Sequence, residues 1–491
     1  MTAIFYNTDV VTEQAPPSDL IIPISSRHGA NNSISRFSLP EENATNTISL
    51  PRNIRRAVFS VSANGQANEE FWWSNVLESD VDTFNATAGE LPGLSPFREV
   101  QVLIDGQLAG VEWPFPVIFT GGVVPSLHRP IVGIHAFDLR EHEIDISPFL
   151  PLLCDGKEHT FTIRVAGLKD TGSSTSATLT ESVNESWYVT GKLFLWLDDD
   201  SSSITTGDAP TINLTPPYIA VTRSVTATSN GTNETLAYTT SVRRTLEIST
   251  LNLKTQHSSP FSLSPATWTQ SLTYTNKGAV TAFGFTQVND LHIAGNDAAL
   301  ALAAPGDDTI NDNKPLGPLP FHTGHHYRTA YTYTLFSNST YAVAPQGNLS
   351  ISAFLRQSKD VSVAGASVFP SGLEAFASSS SAPLYSGSGS DITGLVPAGR
   401  VQTVKEGTAE FRQTGDGKQS TGWGDARQVL SFGVDGGKEL YYRRVGAVNG
   451  TLVEDLRRVE GNVVEGGVEG AGAGAGAGGK GVADVGAMAY A

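Results

Sequence analysis

The stretch that decides the fold begins Phe97-Arg98-Glu99-Val100-Gln101-Val102-Leu103-Ile104-Asp105-Gly106 and ends Asp155-Gly156-Lys157-Glu158-His159-Thr160-Phe161-Thr162-Ile163-Arg164-Val165. In its first half, apolar residues alternate with others up to an Asp-Gly pair, which is typical of a tight hairpin turn. In its second half, Phe161, Ile163 and Val165 point to one face and the residues between them to the other. A period of two predicts half-buried strands of an antiparallel sheet.

The length and charge of the chain bound its class. Its 491 residues are enough for two or three domains with substantial cores. The net charge of −17 argues against nucleic acid or an anionic membrane as a partner. We expect no membrane span, because no apolar run approaches the necessary length. Cys154 is the only cysteine, so the chain forms no intrachain disulfide.

Strand patterns recur along the whole chain, and helical periodicity is almost absent. Many short strands at hairpin spacing predict an all-β chain of packed antiparallel sandwiches. We place a first β-sandwich domain at residues 1–200, a Ser-, Gly- and Pro-rich linker at 201–217 and a second β-sandwich domain at 218–455. Residues 456–491, centred on Gly-Ala repeats, bury too little apolar surface to fold alone and are expected to form a disordered tail.

A family resemblance runs through the first predicted domain. It is carried by Glu70-Phe71-Trp72-Trp73-Ser74-Asn75, Trp113-Pro114-Phe115-Pro116-Val117-Ile118-Phe119-Thr120-Gly121-Gly122, Arg129-Pro130, Phe137-Asp138-Leu139 and the stretches 97–106, 144–150 and 153–165. In this collinear order the segments resemble the N-terminal domain of the peptide:N-glycanase A family of plants and fungi. The resemblance covers residues 20–168.

The resemblance implies a jelly-roll topology for the sandwiches and an amidase activity. Enzymes of this family release N-linked glycans from glycopeptides and glycoproteins, convert Asn to Asp and need no cofactor. N-glycosylated peptides or proteins are therefore the expected partners. Three departures from the family pattern put activity in doubt. They are His128 in place of an aromatic residue, His135 in place of an acid or small residue, and no cysteine near Asn64 to pair with Cys154.

Asn-x-Ser/Thr sequons favour passage through the secretory pathway. They begin at Asn31, Asn43, Asn85, Asn184, Asn213, Asn230, Asn233, Asn338, Asn348 and Asn449. Residues 1–9 contain neither the basic region nor the apolar core of a signal peptide. Family members carry a signal segment and the first strands upstream of this region. We therefore expect an N-terminally incomplete copy of a secreted or vacuolar protein, with residues 2–6 as the tail of a strand.

Metal and nucleophilic chemistry are poorly supported by the sequence. The histidines at 322, 325 and 326 match no zinc motif and suit a surface or packing role better. No strand-turn-helix motif marks a nucleophilic serine. Cys154 and His159 could form a thiolate pair, but Cys154 ends an apolar run and is more simply a buried, inert thiol.

Carboxylates remain as the catalytic candidates. Amide hydrolysis needs a base to activate water, donors for the oxyanion and an acid for the departing nitrogen. Acids beside aromatic residues suit these tasks, because apolar walls raise a carboxyl pKa and rings stack on sugars. The catalytic candidates are Glu70 first, with Glu69 and Glu112 after it. The candidate substrate-binding residues are Trp72, Trp73, Trp113 and Arg129. If the preceding strand continues, Glu70 and Trp72 share a face.

Other acids have simpler structural interpretations. Asp105 is expected to be a turn residue, and Arg98 with Glu99 a sheet-edge ion pair. Four acids form a run that is usually a solvated face, although one member could be catalytic: Asp138, Glu141, Glu143 and Asp145. Three hypotheses follow, namely an N-glycan amidase, a non-catalytic glycan-binding β-sandwich and, more weakly, a glycoside hydrolase with paired carboxylates.

Overall fold

The fold is that of a computed structural model, which describes residues 17–25, 32, 34–119, 121–129, 141–172, 175–256, 262–303, 324–365, 368, 399–434 and 439–467. The first strands are β1 Leu20–Pro23, β2 Phe37–Leu39, β3 Thr45–Ser49, β4 Ile54–Gly65, β5 Glu99–Ile104, β6 Gln107–Glu112, β7 His142–Asp145, β8 Glu158–Ala166, β9 Leu168–Asp170, β10 Ala177–Leu179 and β11 Trp187–Leu197.

The later strands are mostly much longer. They are β12 Ile204–Thr206, β13 Thr211–Leu214, β14 Tyr218–Ala227, β15 Asn233–Thr250, β16 Leu253–Gln256, β17 Ser262–Thr281, β18 Thr286–Ala303, β19 Gly324–Val343, β20 Leu349–Gly365, β21 Gly399–Gln413, β22 Ser420–Val434, β23 Glu439–Val448, β24 Thr451–Val459 and β25 Asn462–Gly467. Every pairing between them is antiparallel. The prediction of an all-β chain is therefore confirmed.

Helices are short and few over the described ranges. The α-helix is α1, Leu150–Leu153, and the 3₁₀ turns are Ala67–Glu69, Trp72–Ser74, Glu78–Asp80, Ser147–Phe149 and Ala282–Gly284. Within the part of the chain that the structure describes, no helix has the length and apolar character that crossing a membrane requires.

The first part of the chain forms the predicted sandwich. One sheet has the order β1-β11-β4-β7, with β2 also pairing with β11, and the other has the order β3-β8-β5-β6. Phe59 of β4 and Phe161 of β8 stack across the two sheets with ring centroids 6.3 Å apart. The predicted Asp105-Gly106 turn joins β5 to β6, and Phe161, Ile163 and Val165 are buried as the alternation predicts.

The second part differs from its prediction, because its strands form one 14-stranded sheet from β12 to β25. We call it the long sheet. The predicted linker at 201–217 contains β12 and β13, which pair with β16 and β15. The predicted tail from 456 contains the end of β24 and all of β25. Residues 1–16 and 468–491 lie outside the described residues, so the predictions about the start and the end of the tail are not tested.

The long sheet packs one face on the sandwich. On β15 every second residue is buried, including Leu236, Val242 and Ile248, and the residues between them reach solvent or are half-buried. Val242 and Ile248 belong to one apolar cluster with the core of the sandwich, and Leu236 belongs to a second cluster with Val76, Leu77 and Phe84. The long sheet therefore uses the sandwich, and not a second sheet of its own, to cover its apolar side.

Candidate active site

Glu69 is fully buried in a neutralised cluster. Its two carboxylate oxygens accept hydrogen bonds from Arg98 Nε at 2.5 Å and Arg98 Nη2 at 2.8 Å. The indole of Trp187 donates to the same carboxylate at 2.8 Å. Both charged side chains have no exposed surface. This placement gives Glu69 a structural role inside the fold and does not support a catalytic role.

Glu70 lies on a turn and not on a strand. The strand β4 ends at Gly65, and Glu70 follows the 3₁₀ turn Ala67–Glu69. The expectation that Glu70 and Trp72 share a strand face is therefore wrong. Burial raises the pKa of the half-buried Glu70 above 4.5. Its catalytic role stays a prediction.

The three candidate tryptophans belong to the core. Trp72 packs against Trp187, with ring centroids 6.2 Å apart, and Trp73 meets the edge of Phe71. Trp113 contacts other core rings and donates a hydrogen bond from its indole nitrogen to Glu99 at 3.1 Å. Each is at most 3% exposed. Their rings offer no open face on which a sugar could stack, so their placement does not support a substrate-binding role.

The remaining sequence candidates are dispersed. Arg129 is exposed at the surface, and no ion pair joins it to any acid that the structure describes. Cys154 is 1% exposed, and burial raises the pKa of its thiol to about 11, as an inert thiol requires. The ring of His159 is engaged on both nitrogens, by Asp105 Oδ2 at 2.7 Å and Asp155 Oδ1 at 3.2 Å. Cys154 and His159 therefore do not form the pair that the sequence left open.

Glu112 lies where three sheets meet. It ends β6, the edge strand of one sandwich sheet, close to β7, the edge strand of the other. A Cβ on Gly110 would come within 2.6 Å of Ile144 Cγ2, so glycine allows β6 and β7 to approach closely. Residues 110 and 112 share a strand face. This close approach brings Glu112 beside the start of β7, with the inner face of the long sheet against both.

The electrostatic setting of Glu112 is unusual. The side chain is half-buried, and its Oε2 is enclosed without a hydrogen-bond partner among the described residues. Burial, followed by the charges of Glu141 and Asp297, raises the pKa of Glu112 from 4.5 to about 8, and Lys359 opposes this rise. Glu112 therefore keeps its proton at neutral pH.

Asp297 of β18 lies behind Glu112 on the long sheet. It is 1% exposed, and burial raises the pKa of its carboxyl to about 7. Its Oδ2 is 3.5 Å from His142 Nε2. Burial lowers the pKa of His142 to about 4, so this imidazole is neutral and does not compensate the Asp297 charge.

Gln270 of β17 connects the long sheet to the strand that carries Glu112. Its amide pairs with the backbone of Val111, accepting from the N–H at 2.9 Å and donating to the carbonyl at 2.9 Å. The same Nε2 donates to Asp297 Oδ1 at 2.9 Å. One side chain therefore fixes Asp297 relative to the residue before Glu112.

Glu141 is the second carboxylate beside Glu112. Its Oε1 accepts a hydrogen bond from Lys192 Nζ at 2.7 Å, its Oε2 accepts one from Ser60, and it is partly exposed. The acidic run that contains it is not a solvated face. Glu143 and Asp145 are buried, and Asp145 pairs with Arg56 at 3.3 Å, while Asp138 lies outside the described residues.

Aromatic rings and one amine complete the group. Lys359 of β20 has its Nζ 5.3 Å from the ring centroid of Phe115 and 5.6 Å from that of Tyr333. Burial lowers the pKa of Lys359 to about 8. Tyr331 stacks on Tyr333 with centroids 4.9 Å apart. We call Glu112, Glu141, His142, Gln270, Asp297, Lys359 and these rings the junction cluster.

Sequence reasoning found Glu112 and named Glu141 within the acidic run, but it missed Asp297, Gln270 and Lys359. The missed residues come from the second half of the chain, where no motif marks them. The alternation of buried and exposed residues along β18 does contain a signal for the site. The inner-face positions of β18 read Leu291, Ile293, Gly295, Asp297, Ala299 and Ala301, so a carboxyl interrupts an apolar stripe. A polar residue at a buried strand position is the pattern that would have located the site.

Metal ligation has no structural support in the described ranges. No group of three or more His, Cys, Asp or Glu side chains there is arranged to hold an ion. The described part of the chain excludes the side chains of the histidines at 322, 325 and 326, so the prediction about them is not tested.

Comparison with known proteins supports the family resemblance. The family model described as peptide N-acetyl-β-D-glucosaminyl asparaginase amidase A matches residues 1–212, and the model of the C-terminal domain of this amidase matches residues 237–315. Peptide-N4-(N-acetyl-β-glucosaminyl)asparagine amidase A of Prunus dulcis is 41% identical over 187 residues, which are 38% of this chain and 30% of the almond protein. No solved structure matches the chain. The two collinear matches and the almond relative confirm the resemblance of this chain to the peptide N-acetyl-β-D-glucosaminyl asparaginase amidase A family.

Proposed function

We propose that this chain is an amidase that hydrolyses the bond between an asparagine side chain and the first sugar of an N-linked glycan. The reaction converts Asn to Asp, and the substrates are N-glycosylated peptides or proteins. The family resemblance and the name of the almond relative support this proposal. The matched region spans 30% of that relative, so the activity of this chain is our inference. The observation that carries it is the half-buried, proton-retaining Glu112 at the junction cluster.

Glu112 is suited to the role of general acid. An amide nitrogen is a poor leaving group unless it is protonated as the C–N bond breaks. A carboxyl whose pKa is about 8 still carries its proton at neutral pH and can donate it to the departing glycosylamine. This is the pattern in which an apolar environment prepares one carboxyl as the acid.

Glu141 and Lys359 can supply the other two requirements. Glu141 is a partly exposed, ion-paired carboxylate, and its charge is one cause of the raised pKa of Glu112. We assign it the removal of a proton from the attacking water. The Lys359 ammonium would stabilise the oxyanion that develops on the asparagine side chain. Asp297 is buried and acts through Glu112, as a positioning residue.

Half-buried rings give the cluster a surface for a sugar. Phe115 and Tyr333 lie 5.2 Å apart between centroids, and each keeps part of its surface accessible. Aromatic rings with one accessible face can pack against the apolar face of a sugar. These two residues replace the buried tryptophans as our candidates for substrate contact.

Product analysis of one N-glycopeptide in heavy-oxygen water tests the reaction. An amidase leaves Asp with one heavy oxygen in its side chain and releases the complete glycan. A glycoside hydrolase would leave a sugar on Asn, and a glycan-binding protein would bind the glycopeptide and release nothing. Asp290→Asn, an exposed acid on the same strand as Asp297, is the matched control and should behave as wild type.

We also propose that the chain passes through the secretory pathway. The sequon asparagines at 43, 85, 213, 230, 338, 348 and 449 are exposed, and those at 184 and 233 are half-buried. Every described sequon therefore lies at or near the surface, as glycan attachment requires. Expression with an added signal peptide in a eukaryotic host should yield protein whose mass falls on deglycosylation. An unchanged mass would contradict this assignment.

A further inference from the structure

An aromatic patch lies on the outer face of the long sheet. Phe336 of β19 and Phe354 of β20 are each 38% exposed, and their ring centroids are 6.0 Å apart. The patch faces away from the sandwich, since the neighbouring inner-face residues Leu335 and Leu355 are fully buried. Two exposed phenylalanines in contact on a mainly polar strand face indicate that another group covers them.

The strand register places a sequon asparagine within this patch. Asn338 is the direct cross-strand partner of Phe354. Phe336 precedes it by two residues and Thr340 follows it by two, so all three side chains point to the same face of β19. Directly opposed side chains on paired strands have Cβ atoms about 4.5–5.5 Å apart. The sequon therefore has one aromatic ring beside it along its strand and another across from it.

The amide of Asn338 is free to carry a modification. The residue is exposed, and its side chain makes no hydrogen bond to any residue within the described ranges. Two other sequon asparagines differ in this respect. Asn233 Nδ2 donates to the Thr83 carbonyl at 2.8 Å, and Asn85 Nδ2 donates to Asp82 Oδ1 at 2.5 Å.

We propose that Asn338 carries an N-linked glycan and that its first N-acetylglucosamine packs on Phe336 and Phe354. The apolar face of a pyranose ring matches the exposed face of an aromatic ring, and the linkage to Asn338 keeps the sugar at contact distance. The glycan thus covers apolar surface that would otherwise face water. The proposal does not depend on the reaction at the junction cluster, which lies on the opposite face of the long sheet.

A double-mutant cycle on the full chain tests the contact. The chain is expressed with an added signal peptide in a eukaryotic host, and glycopeptide mass spectrometry measures the occupancy of Asn338. We expect Asn338→Gln to lower the melting temperature by on the order of 1–3 °C, because the apolar contact is lost. In the Phe336→Ser background the same substitution should lower the melting temperature by less, since one of the two ring contacts is already absent. Phe354→Ser is a second background if Phe336→Ser fails to fold.

Asn213 provides the matched control. It is an exposed sequon residue on β13, with Thr211 and not an aromatic residue two positions before it. The effect of Asn213→Gln should be identical with and without Phe336→Ser. An unmodified Asn338 would overturn the proposal, as would an equal effect of Asn338→Gln in the wild-type and both phenylalanine-variant backgrounds.

Discussion

Two groups of buried acids lie in the same molecule and differ in one respect. Glu69 is paired with Arg98, and Glu99 accepts hydrogen bonds from Arg244 Nη1 at 2.8 and 3.1 Å. Among the described residues, neither Glu112 nor Asp297 forms an ion pair with an arginine, and burial raises their pKa values to about 8 and 7. Both groups lie beside aromatic rings, and all four acids are buried except Glu112, which is half-buried. Only the first is neutralised by a guanidinium.

The comparison shows that an acid beside a tryptophan is not by itself a catalytic signal. The Glu99–Arg244 pair joins the layers of the fold, because Glu99 lies on the sandwich and Arg244 on the long sheet. The expectation that Arg98 pairs with Glu99 was wrong, since each residue has a different partner. At the junction cluster burial, followed by the charges of Glu141 and Asp297, leaves a proton on Glu112 despite the nearby Lys359, and a retained proton is what acid catalysis uses.

Removing a guanidinium should have the largest effect on stability. Arg98→Met leaves the Glu69 carboxylate buried without a counter-charge, so we expect a loss of about 3–5 kcal/mol in the free energy of unfolding. Urea denaturation monitored by tryptophan fluorescence measures it. Lys157→Met, which breaks the surface pair with Asp155, should lower the free energy of unfolding far less, because solvent screens an exposed pair. Equal losses in the two variants would remove the distinction between buried and surface pairs.

Removing the carboxyl of Glu112 should increase the stability of the folded protein, and it should do so only above acidic pH. The folded protein holds the Glu112 proton up to about pH 8, whereas the unfolded chain releases it near 4.5. Wild-type stability therefore falls as pH rises through this window. Glu112→Gln removes that loss and should be about 1–3 kcal/mol more stable than wild type at pH 8, with little difference at pH 4.

Melting curves of wild type, Glu112→Gln and the control Asp290→Asn across this range give the comparison. A difference between wild type and Glu112→Gln that did not grow with pH would show that Glu112 ionises normally in the folded protein.

Removing the nearby amine should give the smallest change in pH dependence, in addition to the lower kcat that follows from losing the oxyanion contact. Lys359 lowers the pKa of Glu112 against the larger influence of burial. Lys359→Met should therefore move the alkaline limb of the pH profile of kcat/KM upward, by less than about one pH unit. The Lys192→Met variant removes the ion pair of Glu141. Its pH profile of kcat/KM tests the role of Glu141. An alkaline limb that moves downward in Lys359→Met would contradict the assigned proximity of Lys359 and Glu112.

The local strands of the first domain could be predicted from sequence because their signals are local. Alternation around Phe161 and the Asp105-Gly106 turn each need fewer than a dozen neighbouring residues. The single long sheet could not be predicted, since alternation shows that one face of β15 is buried but not what covers it. The 201–217 segment was misread because its Ser, Gly and Pro content is typical of a linker, although β12 and β13 pair with distant strands.

The candidate site was only partly predictable for the same reason. Glu112 was visible beside Trp113, but its raised pKa depends first on burial and then on the charges of Glu141 and Asp297, and Asp297 lies far along the chain on another sheet. Glu70 looked stronger because a continuing strand would have placed it against Trp72. The 3₁₀ turns after Gly65 bury that indole beside Trp187 instead. The residues next to a side chain in sequence indicate its local environment. Only the tertiary fold shows which charged groups lie near it.

The most direct test compares two substitutions that each replace a carboxyl by an amide, Glu112→Gln and Glu70→Gln. The measurement is the release of glycan from one N-glycopeptide. If the junction cluster performs the reaction, Glu112→Gln should lower kcat/KM by about 10²–10⁴-fold, the usual contribution of a general acid. Glu70→Gln should stay close to wild type, and both proteins should melt cooperatively. An inactive Glu70→Gln beside a fully active Glu112→Gln would contradict the account.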